Sequence, residues 1–193
     1  IPMLSLPLVL GLKNDEIFSG HQGYLKAGNS EKIQNFKQKY FDNDKYKIGI
    51  KWQGNTYFDV ERVIRIENFF NIMELANTQF YCCQTFDGSE EFDKIPAEYN
   101  VINIAGEFHD FSDTAAAIEN MDLIICNDTS LAHLAGAMGK PCFVVLPHIY
   151  NWRWHIDLSK CDWYDSVKLY RLGQNESWNE LMIQVTDDIK SSF

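Results

Sequence analysis

Asp128, Thr129, Ser130 and His133 are the side chains in this sequence whose types and spacing offer chemistry. They follow the apolar run DLIIC and open a segment, Thr129 to Met138, whose apolar spacing predicts a helix. The first N–H groups of a helix have no partner within it, and its dipole puts roughly half a positive charge at that end. Small hydroxyl residues there leave the amides accessible, so a diphosphate can sit at the helix start without any basic residue. His133 lies one turn on from Thr129 and faces the same end, where an imidazole can bond a phosphate oxygen. The same residues also suit a plain helix start, with Asp128 or Thr129 as its cap and His133 as a packed core histidine.

Such a helix start must be held by a sheet, and the chain alternates accordingly. Asn29 or Ser30 caps a predicted helix with Ile33, Phe36, Tyr40 and Phe41 on one face. KIGIKW (Lys47 to Trp52) is a strand ending at the turn cluster Gln53-Gly54-Asn55. A helix from about Glu67 to Ala76 and a strand QFYCC follow, then a long acidic loop from Gln84 to Tyr99. Next come the strand NVINI, a helix capped by Ser112 or Asp113, the strand DLIIC, the helix from Thr129, and the strand PCFVVL. A last helix starts near Glu176 with Trp178, Leu181, Met182, Val185 and Ile189 as its stripe. Alternating strands and helices imply an α/β fold: a Rossmann-like parallel sheet with helices on both faces, its strands continuous apolar runs. Ligands of such sheets bind beyond the carboxyl ends of the strands, where both Gln53-Gly54-Asn55 and Asp128 to His133 fall.

Composition bounds the function. The 193 residues suit one domain with an appendage, and 17 basic against 27 acidic residues give a net charge of −10. That argues against nucleic acid held on a broad basic face. Hydrophobic residues at 46% and charged ones at 23% are globular values. No run is long and apolar enough to span a membrane, and the opening IPMLSLPLVLGL lacks the basic start of a signal peptide. Five cysteines without a C-x-x-C spacing read as buried free thiols in a reducing, cytoplasmic compartment. There is no G-x-G-x-x-G, and Gly139-Lys140-Pro141 cannot be a P-loop because Pro replaces the hydroxyl residue. No metal-ligand spacing and no G-x-S-x-G nucleophile elbow occur.

DFSDTAAAIENMDLIICNDTSLAHLAGAMGKP, preceded by GIKWQGN and followed by LPHIYNWRWHIDLSKCDWYDSVKLYR, resembles the C-terminal half of the bacterial heptosyltransferase-like glycosyltransferases of family 9. The long string D-T-S-x-A-H-L-A-G-A-x-G-K-P is the specific part, and LSLPLVLGL resembles the segment closing the family's N-terminal domain. The resemblance implies the C-terminal half of a GT-B fold: residues 1–28 a strap from a preceding domain, 29–171 the nucleotide-sugar-binding domain, and 172–193 a return helix. It further implies transfer of a sugar from a nucleoside diphosphate donor to an acceptor hydroxyl on a glycan, lipid-linked or protein acceptor, without cofactor or metal. An N-terminal domain or tetratricopeptide repeats of the same polypeptide would be its neighbours, and the catalytic base is expected from that missing half.

By the same resemblance Asp128, Thr129, Ser130 and His133 hold the diphosphate, Gln53, Gly54 and Asn55 approach it, and Arg62 supplies a cation. Gln84 or Glu90 would lie near the nucleoside. Relatives carry a polar, basic string after W-x-G-N, whereas this chain reads Thr56 to Arg65 with only Arg62 aligned, which implies weaker charge stabilisation or an altered donor. Trp152-Arg153-Trp154 reads as a packed latch more readily than as a sugar platform. Two other classes stay open: a non-catalytic nucleotide-sugar or protein-binding module, and a nucleotide-sugar epimerase of the same fold, which needs a carboxylate pair that the sequence does not display.

Overall fold

β-Branched and aromatic runs too short for helices build the centre of the molecule. In the computed structural model, which describes residues 5–12, 23–55, 63–154 and 161–191, they pair into one six-stranded sheet. The strands are β1 (Tyr46–Lys51), β2 (Thr78–Cys82), β3 (Ile102–Asn103), β4 (Leu123–Asn127), β5 (Cys142–Leu146) and β6 (Val167–Arg171). Their order is β3-β2-β1-β4-β5-β6 and every pairing is parallel. The helices are α1 (Leu6–Val9), α2 (Ser30–Phe36), α3 (Phe70–Met73), α4 (Phe111–Glu119), α5 (Ser130–Ala137) and α6 (Trp178–Lys190).

Alternation along the strands divides the apolar residues between two cores. Ile124 and Cys126 of β4 join α2, α4 and α5 on one face, while Leu123 and Ile125 join α3 and α6 on the other. The expected doubly covered parallel sheet is therefore the fold. Each fully buried Ile or Leu contributes about 1.5–3 kcal/mol to holding the layers together. The strand order reverses between β1 and β4, which places a crevice beyond their carboxyl ends.

Several local expectations shift. The predicted helix from Glu67 to Ala76 is a 3-10 turn, Ile66–Phe69, running into the single turn α3. Asn77 ends it in the left-handed region at φ 57°. NVINI contracts to the two residues of β3. The cap of α4 is Asp110 rather than Ser112 or Asp113; Asp110 accepts from the Ser112 and Asp113 N–H groups, and Asp113 completes a capping box. Asn29 caps α2, which continues as a π turn through Lys37–Phe41. β6 is an additional edge strand. The described cysteines are all buried free thiols. Among the described residues no helix is long and apolar enough to cross a membrane.

Candidate functional site

Two cavities open side by side at the crevice between β1 and β4. The first, of about 590 Å³, is lined by Lys51, Gln53, Gly54, Asn55 from the end of β1, by Thr85 to Asp87 after β2, by Asp128 to Ser130 and His133, and by Arg153. The second, of about 360 Å³, is lined by Cys83, Phe108, His109, Phe111, Thr114 and Leu131, among others. Lys51, Thr85, Phe86 and Ser130 belong to both, so the cavities meet at these four residues.

α5 begins at Ser130 with extended Thr129 as its N-cap residue, and the Thr129 side chain makes no capping bond. The Thr129 hydroxyl turns back to donate to the Asn127 carbonyl. The helix start is turned toward the cavities, with Ser130 lining both and the Asp128 carboxylate lining the first. Between the two readings of this segment, the structure has no Thr129 side-chain cap, and His133 is not a plain core histidine, because it lines the cavity.

His133 is held from two sides. Its Nδ1 lies 3.1 Å from the Tyr164 hydroxyl, and its ring stacks on buried Trp154 with centroids 4.9 Å apart and planes 13° apart. Burial pushes the Tyr164 phenol above its usual value, so the O–H persists as a donor. With the phenol donating to Nδ1 the ring hydrogen sits on Nε2, 3.7 Å from Asp128 Oδ1, and with the phenol accepting it sits on Nδ1; the nearby carboxylate favours the first tautomer. Nε2 has no hydrogen-bond partner among the described residues. It is a buried nitrogen with unmet hydrogen-bonding capacity on a side chain that lines the first cavity. The Asp128 carboxylate repels a phosphate, so its chemistry at the site is to accept: from Nε2–H or from sugar hydroxyls.

The loops are fastened by Gln84. Its Oε1 accepts from the N–H groups of Trp52 and Gln53 at 3.1 and 3.0 Å. Its Nε2 donates to the Gln53 and Asp87 carbonyls at 3.0 and 2.7 Å. Gln84, 1% exposed, therefore ties the β1 loop to the β2 loop instead of facing the cavities. The Trp52 indole N–H donates to the Gly88 carbonyl. Gly88 sits at φ +83°, where an added Cβ would come within 2.7 Å of Gln53 Oε1, so only glycine fits this turn. The clamped loop holds Phe86 in the left-handed region at φ 58° and 88% exposed, at the mouth of both cavities. Glu90 stands exposed on the 3-10 turn Ser89–Lys94 and lines neither cavity. Arg62 lies outside the described residues.

Two cations not singled out by the sequence join the site. Arg153 reaches the first cavity, its Nε buried without a partner among the described residues. Lys51 is buried at the end of β1, and its ammonium, bonded to the Thr85 hydroxyl at 3.3 Å, is pushed below the usual lysine range by that burial. Tryptophan around Arg153 behaves as a latch: Trp154 packs under His133, and the Trp163 indole donates to the Arg153 carbonyl at 2.6 Å. Trp152 is 61% exposed. Among the described residues no three His, Cys, Asp or Glu side chains converge as metal ligands.

This architecture is shared with solved proteins. The structure of the ADP-heptose LPS heptosyltransferase II of Escherichia coli superposes with a TM-score of 0.64 at 16% identity, covering 84% of this chain and 51% of that one. A family 9 glycosyl transferase from Veillonella parvula gives 0.65 at 13% identity, covering 97% and 57%. The chain thus spans about half the length of the structures it matches, and at such identity the likeness establishes the GT-B-type α/β fold. No curated protein matches the sequence significantly. The family model for glycosyltransferase family 9 (heptosyltransferase) matches residues 24–145, which take in β1, the clamped loops and the α5 helix start. This chain belongs to glycosyltransferase family 9 (heptosyltransferase).

Proposed function

We propose that the chain is the donor-binding half of a glycosyltransferase that moves a sugar from a nucleoside diphosphate to an acceptor hydroxyl. The observation that carries this is the meeting of two cavities at the start of α5, beside the point where the strand order reverses. An elongated ligand with a charged middle suits that geometry. The nucleoside takes the cavity walled by Phe108 and Phe111, the diphosphate lies over Ser130, and the sugar faces Gln53 to Asn55, Asp128 and His133.

In the reaction the bond from the anomeric carbon to the diphosphate oxygen breaks, and a bond from the acceptor oxygen forms. The acceptor proton leaves to a base outside this chain, in the preceding domain that residues 1–28 would strap to this one. The work of residues 29–171 is to orient the donor and to neutralise the departing diphosphate, through α5 amides, His133 Nε2–H and Arg153. The protein's own groups supply that charge, without a metal. Residues 172–193 serve the fold, since α6 packs its apolar stripe on the sheet.

Calorimetry with ADP, GDP and UDP, then with their sugars, tests the proposal. Binding of one nucleoside diphosphate, tightened or matched by its sugar, supports it, and failure of all of them contradicts it. Binding without any transfer by the longest natural polypeptide containing this domain would point instead to a non-catalytic module.

A further inference from the structure

Lys51 presents a problem that the fold alone does not solve. It is the last residue of β1, 8% exposed, and no carboxylate pairs with it among the described residues. Its hydrogen-bond partner is the Thr85 hydroxyl at 3.3 Å. The groups around it that bear on its charge are cysteine thiols, and burial pushes Cys82 up to about 11 and Cys83 higher, so these two are neutral. An ammonium carries three donors and is costly to bury when they are unmet. Here the side chain lines both cavities, at the line where they join, with Ser130 at the start of α5 also lining both.

We propose that Lys51 is the cation that binds the nucleoside-proximal phosphate of the donor, working with the amides of the α5 start, while Arg153 serves the phosphate on the sugar side. The division follows from placement: Lys51 borders the aromatic cavity and the polar one, whereas Arg153 borders the polar one alone. The inference rests on the donor-binding reading above, and it makes Lys51 a specificity-determining residue: stability is given up in the empty protein so that a phosphate is recognised.

The test compares Lys51→Met, Lys51→Arg and Arg153→Met with wild type, titrated with adenosine, AMP, ADP and inorganic pyrophosphate, and with the guanine and uracil series. For the base that binds, Lys51→Met is expected to lower monophosphate and diphosphate affinity about tenfold or more, with nucleoside affinity held within about twofold. Arg153→Met should weaken the diphosphate and spare the monophosphate. Lys51→Arg should keep part of the phosphate preference. Thermal melting of ligand-free Lys51→Met should be equal to wild type or higher, because an unpaired buried charge has been replaced by an apolar chain. An unchanged monophosphate-over-nucleoside preference overturns the inference and leaves the donor reading intact, as does a parallel loss of nucleoside affinity or a lower melting temperature. If no nucleotide binds wild type, the donor reading fails; pyrophosphate binding that disappears in Lys51→Met would still support Lys51 as an anion site, and its persistence or absence in wild type would overturn it.

Discussion

Tyr164 bonds His133 through its hydroxyl, at 3.1 Å from Nδ1, while its ring covers Gly136 one turn further along the same helix. One phenol therefore orients the imidazole and fills the groove that a glycine leaves open. Tyr164→Phe should keep the packing and remove the bond, freeing the Nε2 proton to move to Nδ1. The expected result is a loss of about three- to tenfold in nucleoside diphosphate affinity, read by calorimetry, with nucleoside affinity unchanged. In a cycle with His133→Ala the two losses should not add, since both act through one Nε2–H.

Gly136→Ala attacks the same unit from below. A Cβ at this position collides with the Tyr164 ring, which has no open space to retreat into at 8% exposure. Overpacking of this kind costs about 1–3 kcal/mol. Chemical denaturation should show that loss, and the displaced phenol should carry the Tyr164→Phe binding defect with it.

Gln84→Leu removes the fastener between the β1 and β2 loops. The Trp52 and Gln53 N–H groups lose their acceptor and the Asp87 carbonyl its donor. Unsatisfied buried groups of this kind cost about 1–3 kcal/mol. Hydrogen exchange should accelerate at Trp52 and Gln53, and sugar-nucleotide affinity should fall because Phe86 and Asn55 are no longer held in place.

Acid should loosen the start of α4. Lys32 lies 2.5 Å from Asp113, and this bond holds the Asp113 carboxyl below its usual range. Amides of Asp113 and Ser112 hold Asp110 down at about 2. Folded values below the unfolded ones mean that the stabilisation is present above about pH 4, the unfolded carboxylate value, and fades as pH falls toward 2. Asp110→Asn should flatten melting temperature against pH in that window and leave the profile near neutrality close to parallel with wild type. An unaltered acid limb would remove the cap from the account.

The parts of this molecule legible in its sequence are those set by local pattern. Continuous runs such as DLIIC and CFVVL become buried parallel strands because both their faces are covered, and the small residues from Thr129 onward become a helix start at a strand end. Where tertiary contacts decide, the sequence reads differently. Ser112 and Asp113 look like caps, yet Asp110 takes the role because its side chain reaches two amides while Asp113 is drawn to Lys32. Gln84 reads as a ligand residue since it ends a strand; only the approach of the β1 loop reveals four backbone groups for its amide to satisfy. Lys51 carries no local signal in the strand KIGIKW, and its burial beside Thr85 emerges only in the folded chain. Arg153 hides among tryptophans whose packing, not exposure, turns it toward the cavity.

Calorimetric titration of wild type and of the doubly substituted His133→Ala, Arg153→Met chain with a nucleoside diphosphate, side by side, decides whether the diphosphate lies between the α5 start and Arg153. The double substitution, still folded by its melting profile, is expected to lower diphosphate affinity at least about thirtyfold and nucleoside affinity by no more than about threefold. Undiminished diphosphate binding by the substituted chain would contradict that placement, because the diphosphate would then not lie between the α5 start and Arg153.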